Sequence, residues 1–314
     1  MISVEQLIYR KKGTIGEIKD SFSRLSDPGR KEVNPKVVMY HSVEEDSQVW
    51  CPRHDYSVTP AELETQLKHF QKKGNIVDLP EIVSWLRGEA SLPENAVALT
   101  FDDGYKNNKE NALPLLEKYN APATIYISTG LISYGKPFEY CLAELLKQKE
   151  KINLEKNDIE KEISNDEDRR EAYQKIRRFG KPKNRDERQE LLDMIGNTEN
   201  IESILMNEVE IRDIAENQLL TIGSHSRDHV MLNKIGKDDV RKNILESKRK
   251  LEEILDKKVD RFCYPYGSSN RSVRKFVGKA GYRSAVATGN REIRPRDWNQ
   301  AYRIPRVDGS NLQL

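Results

Sequence analysis

The chain has 314 residues, enough for one large α/β domain or two small ones. It carries 53 Lys and Arg against 51 Asp and Glu, a formal net charge of +2, so its overall charge does not favour binding to nucleic acid or to an anionic membrane. The three cysteines are far apart and form no CxxC pair, so the sequence predicts neither a disulfide framework nor a thiolate zinc site; they are Cys51, Cys141 and Cys263.

The N-terminal segment lacks the uninterrupted apolar stretch of a signal peptide, and no later segment is long and apolar enough for a transmembrane helix. These features predict a cytoplasmic protein, and they leave peripheral membrane association open. Residues 1–33 are predicted to form a helical extension, because Ile15, Ile18, Phe22 and Leu25 recur at helical spacing before a breaker-rich segment.

Short β-rich runs alternate with helical patterns from residue 34 to residue 314. The strand-like runs are KVVMYH, VALTFDDG, ATIYIST, LLTIGSH, RFCYPYG, YRSAVAT and YRIPRV. About seven successive β/α units predict an α/β fold, either a barrel or an open parallel sheet. Residues from about 135 to 212 interrupt this pattern and predict a charged helical insertion with a solvated surface, whose mixed charges argue against a nucleic-acid role.

The motif TFDDG, residues 100–104, follows an apolar run, so Asp102 and Asp103 should lie where a buried strand ends. That end of a strand carries the chemistry in barrel enzymes. Two adjacent carboxylates repel each other in a partly buried site, and a cation bound to one of them relieves the repulsion and leaves the other as a base. The structural alternative is an ordinary acidic junction between strand and turn.

The motif SHSRDH, residues 224–229, also follows a strand pattern and places His225 and His229 four residues apart. Histidines at this spacing on a helical turn or in a tight loop can bind one ion. Together with Asp103 they would supply two nitrogen ligands and one oxygen ligand, with open positions for water and substrate. The alternative is a pair of ordinary surface histidines.

In this order, and each behind a strand, TFDDG and HSRDH resemble the polysaccharide deacetylase family, carbohydrate esterase family 4. FCYPYG, VMYHSV and YRIPRV are also similar to segments of its bacterial members. The resemblance covers roughly residues 36–308, except for much of the charged insertion, and implies a distorted (β/α)7-type barrel. It implies that Asp102 is the general base, and that Asp103, His225 and His229 bind a divalent cation, with zinc ahead of cobalt, manganese and nickel. It also implies that a backbone N–H near Tyr266 helps the metal to stabilise the oxyanion.

The first departure from the family pattern concerns the arginine that orients the base in many members. Cys263 occupies its place in this chain. Arg306, Arg303 and Arg261 are the candidate substitutes, and Arg306 is the first choice because it closes the last predicted strand.

The second departure concerns the histidine that protonates the leaving amine. Most members supply it from a C-terminal Leu-x-His, whereas this chain has no histidine after His229. Members resembling the poly-N-acetylglucosamine deacetylases place it in an N-terminal Tyr-His segment, and His41 ends the first predicted strand in such a segment. We therefore predict that His41 is the general acid, against the alternative of a structural strand-end histidine.

The predicted activity is hydrolytic removal of an N-acetyl group from an amino sugar, either in a glycan or in a nucleotide- or lipid-linked precursor. Deformylation of a formamido sugar is the nearest alternative, because the same groups would serve either acyl group. A catalytically inactive glycan-binding barrel is a further alternative, favoured by the missing arginine and C-terminal histidine. An RNA-associated helical protein has little support from the charge distribution. The sequence does not identify the sugar or the oligomeric state.

Overall fold

The structure is a computed structural model and describes residues 33–45, 57–132, 136–154, 159–294, 297 and 300–312. The predicted helical extension falls on residues that lie, except for Val33, outside this range. It therefore stays a prediction. Cys51 also lies outside the described residues.

A parallel sheet forms the centre of the molecule and includes all seven predicted strands. The strands along the chain are β1 (Lys36–Tyr40), β2 (Ser42–Val43), β3 (Ser57–Val58), β4 (Asn75–Ile76), β5 (Ala96–Phe101), β6 (Ala123–Ile127), β7 (Lys151–Leu154), β8 (Ile159–Glu162), β9 (Leu220–Ser224), β10 (Arg261–Cys263), β11 (Ser284–Val286) and β12 (Val307–Asp308). The strand order in the central sheet is β11-β10-β9-β6-β5-β1-β12, and β4 pairs with β5.

Helices connect the strands of this sheet. They are α1 (Pro60–Lys73), α2 (Leu79–Leu86), α3 (Leu113–Lys118), α4 (Phe138–Lys147), α5 (Asp166–Gly180), α6 (Arg185–Asp193), α7 (Glu208–Ile214), α8 (Lys237–Leu255) and α9 (Arg271–Lys279). A π-helical turn, Asn108–Ala112, leads into α3. None of the helices in the described part of the chain combines the length and hydrophobicity needed to span a bilayer.

The strands are buried on both faces, as expected for parallel strands covered by helices. All six residues of β5 are buried, and so are all five of β6. This explains why the sequence shows them as continuous apolar runs rather than as alternating patterns. The main hydrophobic core contains residues from these strands and from α1, α7 and α8.

The sheet curls so that its first and last strands lie side by side. β12 pairs with β1 through Val38 and Val307, and the segment before β12 bridges to β11 through Ile304 and Val286. This arrangement confirms the predicted distorted (β/α) barrel. It places the end of β1 between the ends of β5 and β12.

The predicted insertion contains helices α4, α5 and α6 and the antiparallel hairpin β7–β8, which the sequence did not predict. These elements share a hydrophobic core separate from that of the barrel. Helix α5 begins at the N-cap Asn165, has three acidic residues in its first turn and two arginines in its last, and so matches the helix dipole at both ends.

Candidate active site and metal centre

One cavity at the carboxyl ends of the strands brings the predicted site residues together. His41 follows β1, Asp102 and Asp103 follow β5, the two histidines follow β9, and Tyr266 follows β10. The residues that line this cavity of about 210 Å³ include His41, Asp102, Asp103, His225, His229 and Tyr266. Arg306 is fully buried directly behind Asp102.

The loop after β9 is held in place by backbone and side-chain hydrogen bonds. The N–H of His225 donates to the carbonyl of Ile127 at 2.8 Å. From α8, the Ser247 hydroxyl donates to the carbonyl of Ser226 at 3.1 Å, and the Asn243 side chain accepts from the N–H of Asp228 at 2.9 Å. These contacts fix a loop in which His229 has a φ of 47°, a conformation that non-glycine residues adopt only when the surroundings enforce it.

Asp103 points towards both histidines. Its φ of 72° turns the chain sharply after Asp102, so the adjacent carboxylates have different partners. Oδ1 of Asp103 lies 3.5 Å from Nε2 of His225 and 3.2 Å from Nε2 of His229. The same oxygen is buried and hydrogen bonds to none of the described residues, which is costly for a carboxylate unless a cation binds there.

These distances fit a divalent cation. Ligands at about 2.1 Å from a tetrahedral zinc lie roughly 3.4 Å from one another, close to the separations that Asp103 makes with the two imidazoles. The ligand atoms of Asp103, His225 and His229 all lie within 4.8 Å of one another. The set of two nitrogens and one oxygen is the kind that leaves coordination positions open for water and substrate.

Both histidines have the protonation state that a metal ligand needs. Nδ1–H of His225 donates to the carbonyl of Cys263 at 3.0 Å, which leaves the lone pair of Nε2 facing Asp103. Burial lowers the pKa of His225 to about 4, and burial together with the neighbouring His225 lowers the pKa of His229 well below its usual value. The imidazoles are therefore neutral at pH 7 and able to bind a cation.

The surroundings of Asp103 disfavour the charged form of its carboxylate. Burial raises its pKa well above the usual value, and the carboxylates of Asp102 and Glu139 act in the same direction. An ionised Asp103 is thus unfavourable in the protein alone, and a bound cation would remove that penalty.

Asp102 is held by Arg306 from the other end of the domain. Nη1 and Nη2 of Arg306 donate to the two carboxylate oxygens at 2.7 and 2.6 Å, and Nη1 also donates to the hydroxyl of Thr100 at 3.0 Å. Burial alone would raise the pKa of Asp102, but the guanidinium, followed by His225, holds it well below its usual range. Of the three candidate arginines, Arg306 is the one that contacts Asp102, whereas Arg303 is exposed and Arg261 pairs with Asp260.

Cys263 lies beside this ion pair. Its thiol lies 3.5 Å from each oxygen of Asp102 and accepts from Nη2 of Arg306 at 3.1 Å. Burial raises its pKa well above the usual value, so it is a neutral thiol that donates to Asp102. A second possible ligand group of Asp102, His225 and Cys263 is therefore a poor metal site, because Asp102 is already paired and Cys263 is not a thiolate.

His41 faces Asp102 across the cavity. Its Nε2 lies 3.9 Å from Oδ2 of Asp102, and its carbonyl accepts from the side chain of Asn108 at 2.7 Å. Burial lowers the pKa of His41, with Asp102 opposing and Arg306 reinforcing the shift. Of the remaining histidines, His69 lies on α1 away from this cavity, and His54 falls outside the described residues.

A family model for polysaccharide deacetylases matches residues 89–176 and 192–285, more than half of the chain. The chain belongs to the polysaccharide deacetylase family. The matched ranges contain Asp102, Asp103, His225, His229 and Tyr266, whereas His41 and Arg306 lie outside them.

Relatives and solved structures agree with this family and fold. YxkH of Bacillus subtilis (strain 168), named as a polysaccharide deacetylase, is 21% identical over 289 residues, which are 92% of this chain and 76% of that protein. The poly-β-1,6-N-acetyl-D-glucosamine N-deacetylase of Staphylococcus aureus (strain MSSA476) is 34% identical over 77 residues, only 24% of this chain and 26% of that protein. The deacetylase PplD of Streptococcus pyogenes aligns with a TM-score of 0.56, 18% identity and coverage of 88% and 93% of the two chains. IcaB from Ammonifex degensii aligns with a TM-score of 0.58, 18% identity and coverage of 88% and 92%.

The insertion forms one wall of the cavity in this family member. Glu139, Tyr140, Tyr173, Arg177 and Lys181 line it, although the sequence suggested only a solvated surface for this segment. The hydroxyl of Tyr266 donates to Glu139 at 2.6 Å, so the insertion contacts the predicted oxyanion loop directly. This wall could not be predicted from the sequence, because its charged residues have the same pattern as an exposed helix face.

Proposed function

We propose that this chain is a metal-dependent carbohydrate N-deacetylase, which hydrolyses the amide of an N-acetylated amino sugar. The observation that carries the proposal is that two adjacent carboxylates have different partners. Asp103 faces two neutral histidines, whereas both carboxylate oxygens of Asp102 accept hydrogen bonds from Arg306. The name of the matching Staphylococcus aureus relative, an N-deacetylase of poly-N-acetylglucosamine, supports the same bond as the target.

Asp103, His225 and His229 are the residues that would hold the cation, and zinc is the first candidate for two imidazoles and one carboxylate. When bound, a divalent cation polarises the amide carbonyl and lowers the pKa of water from 15.7 towards about 7. In the protein, Nδ1–H of His225 bonded to Cys263 keeps the metal-facing nitrogen in place.

Asp102 is proposed as the general base that takes a proton from the attacking water. The bidentate contact with Arg306 fixes the orientation of its carboxylate and keeps it ionised at any pH where the enzyme would work. The contact also makes Asp102 a weaker base than a free carboxylate, so the accepted proton is readily passed on.

His41 is proposed as the group that delivers a proton to the leaving amine. Because its pKa is lowered, the imidazole starts the cycle neutral and takes the proton from Asp102 across the 3.9 Å that separates Nε2 from Oδ2. Catalytic hydrogen bonds are often long before substrate binds and shorten in the complex. Water thus adds its hydroxyl to the carbonyl carbon, the C–N bond breaks, and the nitrogen leaves as an amine with the proton relayed through Asp102 and His41.

Tyr266 is proposed to act through its backbone. Its side-chain hydroxyl is engaged by Glu139, and its ring lies 4.8 Å from that of His229. A φ of 57° at Tyr266 orients the adjoining peptide groups at the edge of the cavity. A backbone N–H at this position would stabilise the oxyanion that forms when water attacks the amide.

The test is a substrate screen with the purified chain loaded in turn with zinc, cobalt, manganese and nickel. Chitooligosaccharides, N-acetylglucosamine polymers, a UDP-linked N-acetyl sugar and formamido sugars would be offered, and acetate and formate would be measured together. We expect acetate release that Asp102→Asn lowers by about 10²- to 10⁴-fold. Formate alone would identify a deformylase, and sugar binding without release of either acid would identify a non-catalytic barrel.

A further inference from the structure

The wall that the insertion contributes carries two cations. Arg177 lies in the last turn of α5, and Lys181 follows one helical turn later, so both side chains point from the same face into the cavity. Glu139 belongs to the same wall, and its Oε1 lies 3.9 Å from Nε of Arg177 and accepts the hydroxyl of Tyr266. Two cationic side chains therefore line this wall beside a carboxylate that already accepts a hydrogen bond.

The ammonium of Lys181 makes no ion pair with any carboxylate of the described residues. It lies 4.5 Å from the centre of the Tyr266 ring, the same ring that contacts His229. Burial, and next the charge of Arg177, lower the pKa of Lys181, as expected for a partly buried cation beside another cation. An anion from the substrate would remove this repulsion.

Arg188 fixes the distance between the cationic wall and the metal centre. One guanidinium donates to the carbonyl of Lys181 through Nη2 at 2.6 Å and to the carbonyl of His229 through Nη1 at 2.8 Å. Its side chain is buried, so this connection is rigid. Lys181 and the proposed metal ligand His229 thus contact the same Tyr266 ring.

We infer that Lys181 and Arg177 form an anion subsite, which selects amino sugars carrying a phosphate or carboxylate on a ring carbon next to the one that bears the N-acyl group. The inference rests on the proposed function, because the acyl group must lie between Asp103 and Asp102 for a neighbouring substituent to face Lys181. The ring carbon that bears the N-acyl group has two neighbours in the ring. A phosphate on one of them, the anomeric carbon, and a carboxylate carried by a substituent on the other are both anions that this subsite could bind. Both accept charge-assisted hydrogen bonds from ammonium and guanidinium groups.

The experiment compares three small substrates with the metal-loaded full chain. They are N-acetylglucosamine 1-phosphate, N-acetylmuramic acid and the neutral methyl glycoside of N-acetylglucosamine. We expect kcat/KM for at least one anionic substrate to exceed that for the neutral one by about 10- to 100-fold, with the difference mainly in KM. The phosphate and carboxylate arms identify which anion the site takes.

Lys181→Gln should reduce this preference to a few-fold, because it lowers kcat/KM for the anionic substrate much more than for the neutral one, whereas Lys181→Arg should retain the preference. Lys183→Gln is the matched control, because Lys183 lies two residues away, packs on Phe179 and does not line the cavity. A preference that survives Lys181→Gln, or equal kcat/KM for neutral and anionic substrates in the unaltered chain, overturns the inference.

Failure of the proposed deacetylase activity can be distinguished from failure of the anion subsite. If no substrate were hydrolysed, the anion subsite could still be tested by calorimetry. The ligands would be glucosamine 1-phosphate and muramic acid, which carry the anions but have no acyl group to lose. Binding that weakens about tenfold or more in Lys181→Gln and not in Lys183→Gln supports the subsite. Equal binding by both variants overturns it.

Discussion

Arg306 and Asp102 form a buried bidentate ion pair although 204 positions separate them in the sequence. The pair joins the segment before the last strand to the loop after β5 and is closed over by Cys263 and Thr100. The resemblance to the family implies that Cys263 occupies the place of an arginine that orients the base in many members. In this structure the guanidinium that reaches Asp102 comes instead from the segment before β12.

Removing Arg306 should damage both stability and turnover. Arg306→Gln leaves a buried, unpaired carboxylate, and we expect the free energy of unfolding to fall by about 3–5 kcal/mol, measured by urea denaturation of the metal-loaded chain. Turnover of an N-acetyl substrate should fall at least about 100-fold. The exposed Arg303→Gln is the control and should change stability by less than about 0.5 kcal/mol. Wild-type stability and turnover in Arg306→Gln would show that the pair does not support the base.

Substitutions of the two adjacent aspartates should have different effects on turnover and on metal binding. Asp102→Asn should lower turnover by about 10²- to 10⁴-fold while the protein keeps its metal, because both oxygens of this carboxylate already accept hydrogen bonds from Arg306. Asp103→Asn should instead weaken metal binding, because its oxygen lies between the two imidazoles. Metal content by elemental analysis and turnover on the same samples separate these outcomes. Equal metal loss in both variants would contradict the assigned roles.

Metal should also change the stability of the fold in a way that depends on Asp103. In the metal-free chain Asp103→Asn removes a buried charge next to Asp102, so the variant should be at least as stable as the unaltered chain. Zinc at 100 times its Kd should stabilise the unaltered chain by about 2.7 kcal/mol and the variant much less. Thermal unfolding with and without zinc measures both quantities. Equal stabilisation of the two proteins would place the ion elsewhere.

His41 should affect turnover and its pH dependence. Because burial lowers the pKa of His41, the imidazole is neutral near pH 7, and we expect the rate to fall only in the more acidic range where this lowered pKa is reached and a protonated His41 can no longer take the proton from Asp102. His41→Ala should lower turnover by about 10²- to 10⁴-fold with unchanged metal content. His69→Ala, on α1, is the control. A metal-replete His41→Ala with near-normal turnover would rule out the proton relay.

The strands, and the approach of Asp103 to His225 and His229, could be predicted from the sequence because their signals are local. Parallel strands covered on both faces are continuous apolar runs, and Asp103, His225 and His229 each follow such a run. Arg306 was identifiable as a candidate because it closes the last strand, although its contact with Asp102 depends on how the sheet curls.

The hairpin β7–β8 and the cationic wall could not be predicted in this way. KINL and IEKE are only four residues long and lie among strong helix formers, so the helical pattern dominates the segment. Arg177 and Lys181 have the spacing of an ordinary exposed pair on a helix. Which face of α5 meets the cavity is decided by the packing of the insertion on the barrel, through contacts such as that of Arg188 with His229.

The most direct test of the central claim is a zinc titration of the metal-stripped chain, with bound zinc and acetate release measured on the same samples. We predict no hydrolysis of an N-acetylated amino sugar without metal, and activity that rises in proportion to bound zinc up to one equivalent. Asp103→Asn should show neither tight binding nor activity over the same range. Acetate release at the full rate by the metal-free chain, or one equivalent of tightly bound zinc in Asp103→Asn, would contradict the assignment of Asp103, His225 and His229 as the metal centre.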